Sequence, residues 1–173
     1  GENPARKTAW DLFAVEKGPL LINMDAQAPN QVFAEWAEQG GFLPGVSAVR
    51  REVRWGDSRL DICLETAAGQ HLVEVKGVTL EEGGAARFPD APTERGVKHL
   101  RELQKAVLSG TGASIVFVIQ MRPVRSMAPN DETHPAFGAA LREAANAGVG
   151  VYAYDCCVTP ESITIGAPVP VIL

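Results

Sequence analysis

The sequence is poor in the residues that build metal clusters and covalent staples. Its 173 residues include only three cysteines and three histidines. Two cysteines, Cys156 and Cys157, are adjacent, and no CxxC or HxxxH pair occurs, which argues against a structural zinc centre. An odd cysteine count without framework spacing fits a reducing compartment, so the expected location is the cytoplasm. Long hydrophobic runs are missing too. The longest, Ile115–Ile119, is far too short to span a bilayer, and no charged-then-apolar leader opens the chain. No membrane partner is expected. Excess positive charge is also absent: 16 Lys and Arg stand against 21 Asp and Glu, net −5. That balance argues against a strongly electrostatic nucleic-acid binder but leaves room for a local basic patch.

What is present is a chain with 46% hydrophobic residues, long enough for one domain with its own core. PLLINM at 19–24 predicts a strand. Pro29 and Asn30 open an amphipathic helix, QVFAEWAEQ, closed by Gly40 and Gly41. Strands are predicted over 46–55, 59–65 and 71–77, and VTLEEGGAARFPDAP reads as a long loop. Thr93 caps a helix, ERGVKHLRELQKAVLS. ASIVFVIQ, 113–120, has the unbroken apolar character of a strand buried on both faces. A proline-rich loop, a helix over 136–147, the strand VGVYAY and an edge strand near 162–165 complete the chain. This order predicts an α/β fold with a mixed central sheet flanked by helices. TAWDLFAVE, at 8–16, is strand-like with no partner ahead of it.

The chemistry concentrates in SRLDICLETAAGQHLVEVKG, residues 58–77. Side chains alternate along a strand. Leu60, Ile62 and Leu64 are therefore expected on one face and Asp61, Cys63 and Glu65 on the other. The next strand separates His71, Val73 and Val75 from Leu72, Glu74 and Lys76. A TAAG loop would set Asp61 opposite Glu74, and an AAGQ loop would set it opposite Lys76. Both registers predict Asp61, Glu74 and Lys76 on one face. Two carboxylates about 5–8 Å apart at Cβ can share a hard divalent cation and would otherwise repel. A lysine beside them can orient a water or offset charge developing on a phosphorus centre. The plainer reading is a solvated face with a surface salt bridge worth about 0–1 kcal/mol.

Glu35, in the first helix, is a candidate third carboxylate or simply a solvated helix residue. Arg95, Lys98, Arg101 and Lys105 recur at three- and four-residue spacing and form a basic stripe. Arg50, Arg51, Arg54 and Arg59 cluster ahead of the hairpin. Both groups suit a phosphate backbone, and both suit open solvent equally well. His99 either points at the acidic pair or is structural.

SRLDICLE, HLVEVKGVTL and ARFPDAPTERGVKHLREL together resemble the sugar fermentation stimulation protein (SfsA) family. The resemblance runs from about Trp10 to the end and includes PNQVFAEW and VGVYAYDC. It implies a DNA-binding protein whose larger domain has the PD-(D/E)xK, restriction-endonuclease-like fold, expected here over 28–173. Residues 1–27 would be the remnant of, or linker from, an amino-terminal OB-like barrel. By the resemblance Asp61, Glu74 and Lys76 are the catalytic set. Mg²⁺ or Mn²⁺ would sit on Asp61 and Glu74, with Glu35 a weaker third ligand. Arg95, Lys98, Arg101, Lys105, Arg51 and Arg54 would hold nucleic acid. The implied activity is metal-dependent phosphodiester cleavage; the alternative is a non-catalytic DNA-binding regulator of sugar-metabolism genes. DNA is the expected partner, and a homo-oligomer is compatible with the chain. Gly77 departs from the motif, because a bulkier or polar residue usually follows the lysine.

Overall fold

A computed structural model describes residues 12–173. A six-stranded sheet organises it, in the order β11-β10-β8-β5-β4-β3. Its members are β3 (Val46–Trp55), β4 (Ser58–Thr66), β5 (Gly69–Val78), β8 (Gly112–Ile119), β10 (Gly150–Val158) and β11 (Ile163–Pro168). The first three form an antiparallel meander, β5, β8 and β10 run parallel, and β11 closes the far edge antiparallel. β8 is buried on both faces from Ala113 to Ile119, as its unbroken apolar run requires.

Helix α1 (Ala28–Glu38) covers one face through Val32, Phe33 and Ala37, packed with Ile62, Leu64, Val73, Val75, Val116 and Val118. Helices α2 (Glu94–Leu108) and α3 (Pro135–Asn146) cover the other. In α2, Val97, Leu100, Leu103 and Ala106 recur every three residues and are buried, so one stripe faces the sheet. Thr93 caps it, accepting Gly96 N–H at 3.1 Å, and Glu94 and Lys105 suit the helix dipole at opposite ends.

The segment expected as a loop, 78–92, contains β6 (Leu80–Glu82) and β7 (Ala85–Phe88), a hairpin turned at Gly83–Gly84. Both glycines have positive φ, 57° and 88°, as a tight two-residue turn requires. β7 then pairs with β9 (Ser126–Pro129) from the proline-rich loop, forming a separate three-stranded sheet. Ahead of α1, β1 (Ala14–Lys17) and β2 (Leu20–Asn23) form a hairpin. Residues 8–11 of the strand-like stretch 8–16, and residues 1–11 of the 1–27 segment expected to belong to a barrel, lie outside the described residues. Among the described residues no helix is long and apolar enough to cross a membrane.

Candidate active site

The β4–β5 hairpin adopts the register that sets Asp61 opposite Glu74: Thr66 pairs with Gly69, Glu65 with Gln70 and Ile62 with Val73. The ladder stops there. Beyond it the strands splay, and Asp61 Oδ2 accepts the Val75 N–H at 2.9 Å where a strand carbonyl would stand. Asp61 therefore lies in a fork between β4 and β5.

The expectation that Asp61 simply shares a sheet face with Glu74 and Lys76 is corrected here. Leu60 packs with the α2 and α3 side, but Ile62 and Leu64 pack with the α1 side. Strict alternation would put all three together, so β4 changes face at Asp61. The neighbouring strand supplies a physical cause. Arg51 pairs with Ile62 and Val53 with Leu60, so Glu52 stands opposite Asp61, and Glu52 has a left-handed φ of 54°. A non-glycine residue in that region marks a local break in regular strand geometry.

Glu74 points toward α2, where it is 1% exposed. Its Oε1 accepts Lys76 Nζ at 2.5 Å and also bonds His99 Nδ1. Arg95 Nε donates to the other ring nitrogen of His99, Nε2, at 3.4 Å. From the opposite side, Asn30 Nδ2 donates to Asp61 Oδ1 at 3.3 Å. Four elements thus converge on the fork. Sequence reasoning left His99 undecided and missed Asn30; helix periodicity alone does not say which helix residue reaches a sheet.

The two carboxyls are tuned in opposite directions. Burial, reinforced by the negative charge of Glu74, holds Asp61 above the usual carboxylate range. Burial also opposes the charge on Glu74, but its bonds to His99 and Lys76 prevail and hold it below that range. At the fork two buried acceptors, Glu74 Oε2 and Asn30 Oδ1, have no hydrogen-bond partner among the described residues. Leaving a buried carboxylate oxygen unpaired is costly.

Glu35 is not part of this arrangement. It is exposed, accepts Gln31 Nε2 at 3.0 Å, and lines a surface cleft with Asp25, Glu161 and Ser162. Five residues turn a helix by about 140° relative to Asn30, so both cannot address Asp61. Among the described residues no three His, Cys, Asp or Glu side chains form a metal-holding group, which corrects the expected Asp61–Glu74–Glu35 trio. Gly77 is explained by packing. A Cβ there would lie 2.6 Å from both Gln120 Oε1 and Pro29 Cγ, so the first turn of α1 can close over β5 only above glycine.

The expected basic residues are exposed but differ in their engagements. Lys105 pairs with Glu102 at 2.7 Å, and Lys98 donates to the Asp57 carbonyl at 2.8 Å. Arg95 rests on His99 at the rim of the fork. Arg51, Arg54 and Arg101 form no ion pair among the described residues, whereas Arg50 and Arg59 pair with Glu65 and Glu52. Cys63 and Cys156 are buried, which makes them poor nucleophiles, and burial pushes the Cys156 thiol up to about 12.

The profile of the sugar fermentation stimulation protein RE domain matches residues 27–162. The chain belongs to the sugar fermentation stimulation protein family. A family member from Desulfitobacterium hafniense strain Y51 is 53% identical over 161 residues, covering 93% of this chain and 70% of the relative. One from Clostridium beijerinckii is 48% identical over 172 residues, covering 99% of this chain and 76% of the relative. Among solved structures, SfsA from Pyrococcus furiosus in complex with Ca²⁺ superposes with a TM-score of 0.90 at 30% identity. That match covers all of this chain and 76% of the family structure.

Proposed function

We propose that this chain binds DNA and hydrolyses a phosphodiester with the help of one divalent cation held by Asp61 and Glu74. The observation that carries this reading is the buried, partnerless Glu74 Oε2 beside a second, reluctantly ionised carboxylate. An all-oxygen donor set suits a hard cation, Mg²⁺ or Mn²⁺. Mg²⁺ is ordinarily held by one or two carboxylates together with water and substrate oxygens, a number that Asp61 and Glu74 supply. The Ca²⁺ complex of the P. furiosus relative is consistent with such a site.

A bound cation supplies the positive charge that polarises a phosphodiester. Asp61, fixed by Asn30 and the Val75 amide, and Glu74, fixed by His99, hold their oxygens on rigid strands. Lys76, partly exposed, gives one N–H to Glu74 and has two more with which its ammonium would orient water or offset charge in the transition state. Arg95, Lys98, Arg101, Lys105, Arg51 and Arg54 contact the backbone, giving affinity without sequence choice.

The relatives' name describes a stimulated phenotype, which favours a second reading: a DNA-binding regulator that keeps the fork without cleaving. A cleavage assay in millimolar Mn²⁺ separates the two. Cleavage that disappears in the Asp61→Ala, Glu74→Ala double variant supports hydrolysis. DNA binding by wild type with no cleavage under any divalent cation selects the regulator.

A further inference from the structure

We propose that His99 is a positioning residue of this site, keeping Glu74 Oε2 open for the cation while Lys76 serves the substrate. The inference rests on the reading of Asp61 and Glu74 as cation ligands.

Four observations point this way. His99 is 4% exposed, and both its ring nitrogens are engaged. An Arg Nε always donates, so His99 Nε2 must accept from Arg95, and the ring hydrogen lies on Nδ1. That hydrogen goes to Glu74 Oε1. Both partners of Glu74 therefore converge on one oxygen, leaving Oε2 buried and bare. A buried carboxylate free to rotate would share its two donors between its two oxygens.

The second partner, Lys76, cannot do this task alone. Its ammonium sits on a flexible four-carbon stem and has two further N–H donors for the substrate, so it does not fix the rotation of the Glu74 carboxylate. Held by Lys76 alone, Glu74 would be free to turn its occupied oxygen inward. His99 is suited to hold it because it rides on α2, seated by Val97, Leu100 and Leu103 and capped by Thr93. A histidine that steadies a ligating carboxylate through one N–H is an outer-shell partner of the kind that sets ligand orientation. Arg95 extends the chain of contacts to the surface, so a phosphate engaging its remaining N–H groups is tied through His99 to the metal ligand.

The competing account is that His99 merely fills space beneath α2. Substitutions separate the two. In His99→Asn the side-chain amide nitrogen can replace Nδ1–H. In His99→Leu the volume is filled without a donor, and in His99→Gln the amide is displaced toward the Nε2 position. Metal-free protein is titrated calorimetrically with Mn²⁺, alongside Asp61→Asn. We expect His99→Asn to bind within about threefold of wild type, and His99→Leu and His99→Gln to bind about 10–100-fold more weakly. If His99→Leu does not fold, His99→Gln supplies the comparison. Wild-type affinity in His99→Gln or His99→Leu, with binding lost in Asp61→Asn, overturns the role of His99 and leaves the cation site standing. No Mn²⁺ binding by wild type, or undiminished binding by Asp61→Asn, overturns the cation site and the inference with it. Imidazole ¹⁵N spectra of the wild type add a metal-independent check: a proton on Nε2 instead of Nδ1 overturns the proposal.

Discussion

Strand β5 carries a polar cluster at each end, and the two are built on different terms. Near its start, His71 Nε2 and Ser114 Oγ meet at 2.8 Å, and neither side chain is left with an unpartnered buried atom. Gly112 makes room, since a Cβ there would lie 2.5 Å from His71 Nδ1. Near its end, Glu74 has two donors on one oxygen and none on the other. A satisfied, half-buried pair joins neighbouring strands and needs nothing more. A half-satisfied carboxylate is stable only because the structure around it over-determines its position, which is what a ligand site requires. The contrast sets a polar contact that is complete in itself beside one that, on the reading proposed above, is completed by a cation.

The largest effect expected from breaking this contrast is at Lys76. Lys76→Ala should lower single-turnover cleavage by about 10²–10³-fold while DNA affinity stays near wild type. A parallel fall in affinity would instead make Lys76 a binding residue. Next is Gly77→Ala, which forces a Cβ against Pro29 and Gln120. Denaturant titration should show a loss of about 1–3 kcal/mol, and Mn²⁺ affinity should fall with it because Asn30 rides on the same helix turn.

At the other end, Ser114→Ala removes the partner of His71 and should cost about 1 kcal/mol, with Mn²⁺ binding unchanged. The two ends also respond to pH with opposite sign. Burial holds His71 below its ordinary 6.5, so the unfolded chain takes up a proton that the folded one refuses. Stability at that end is lost as pH falls below 6.5. Asp61 is raised above 3.8, so the folded state holds its proton longer, and metal-free stability is lost as pH rises from 3.8 through the folded value. Thermal melts of His71→Asn and Asp61→Asn should each flatten one of these slopes and leave the other; a variant that flattens both, or neither, breaks the assignment. The smallest effect is expected at Arg101. Arg101→Ala should weaken DNA binding a few-fold for all sequences and reduce the salt slope by roughly one. An unchanged slope would return Arg101 to the solvated surface.

Much of this was legible from residue order. The hairpin, Asp61 and the Glu-Val-Lys run were legible, but residue order left two registers open, and the structure adopts the one that pairs Thr66 with Gly69. The face change at Asp61 was not legible. It coincides with a left-handed residue, Glu52, on the adjoining strand, and no glycine advertises the position. Asn30 and His99 reach the fork from helices far apart in sequence, where periodicity identifies a face but not its neighbour. The hairpin at Gly83–Gly84 did carry a signal, a glycine pair between short polar strands, but three- and four-residue strands give too little alternation to stand out from a loop.

The bond from the Val75 amide to Asp61 Oδ2 makes one backbone proton a built-in reporter. Most amides in the sheet sense a neighbouring carbonyl, whose charge never changes; Ala167, bonded to the Asp155 carboxylate at the far edge, is an exception remote from the fork. The Val75 amide senses a carboxylate that titrates and, on the reading above, accepts a cation. A single peak in a ¹H–¹⁵N spectrum should therefore follow the electrical state of the fork, with no label, dye or substrate added to the protein.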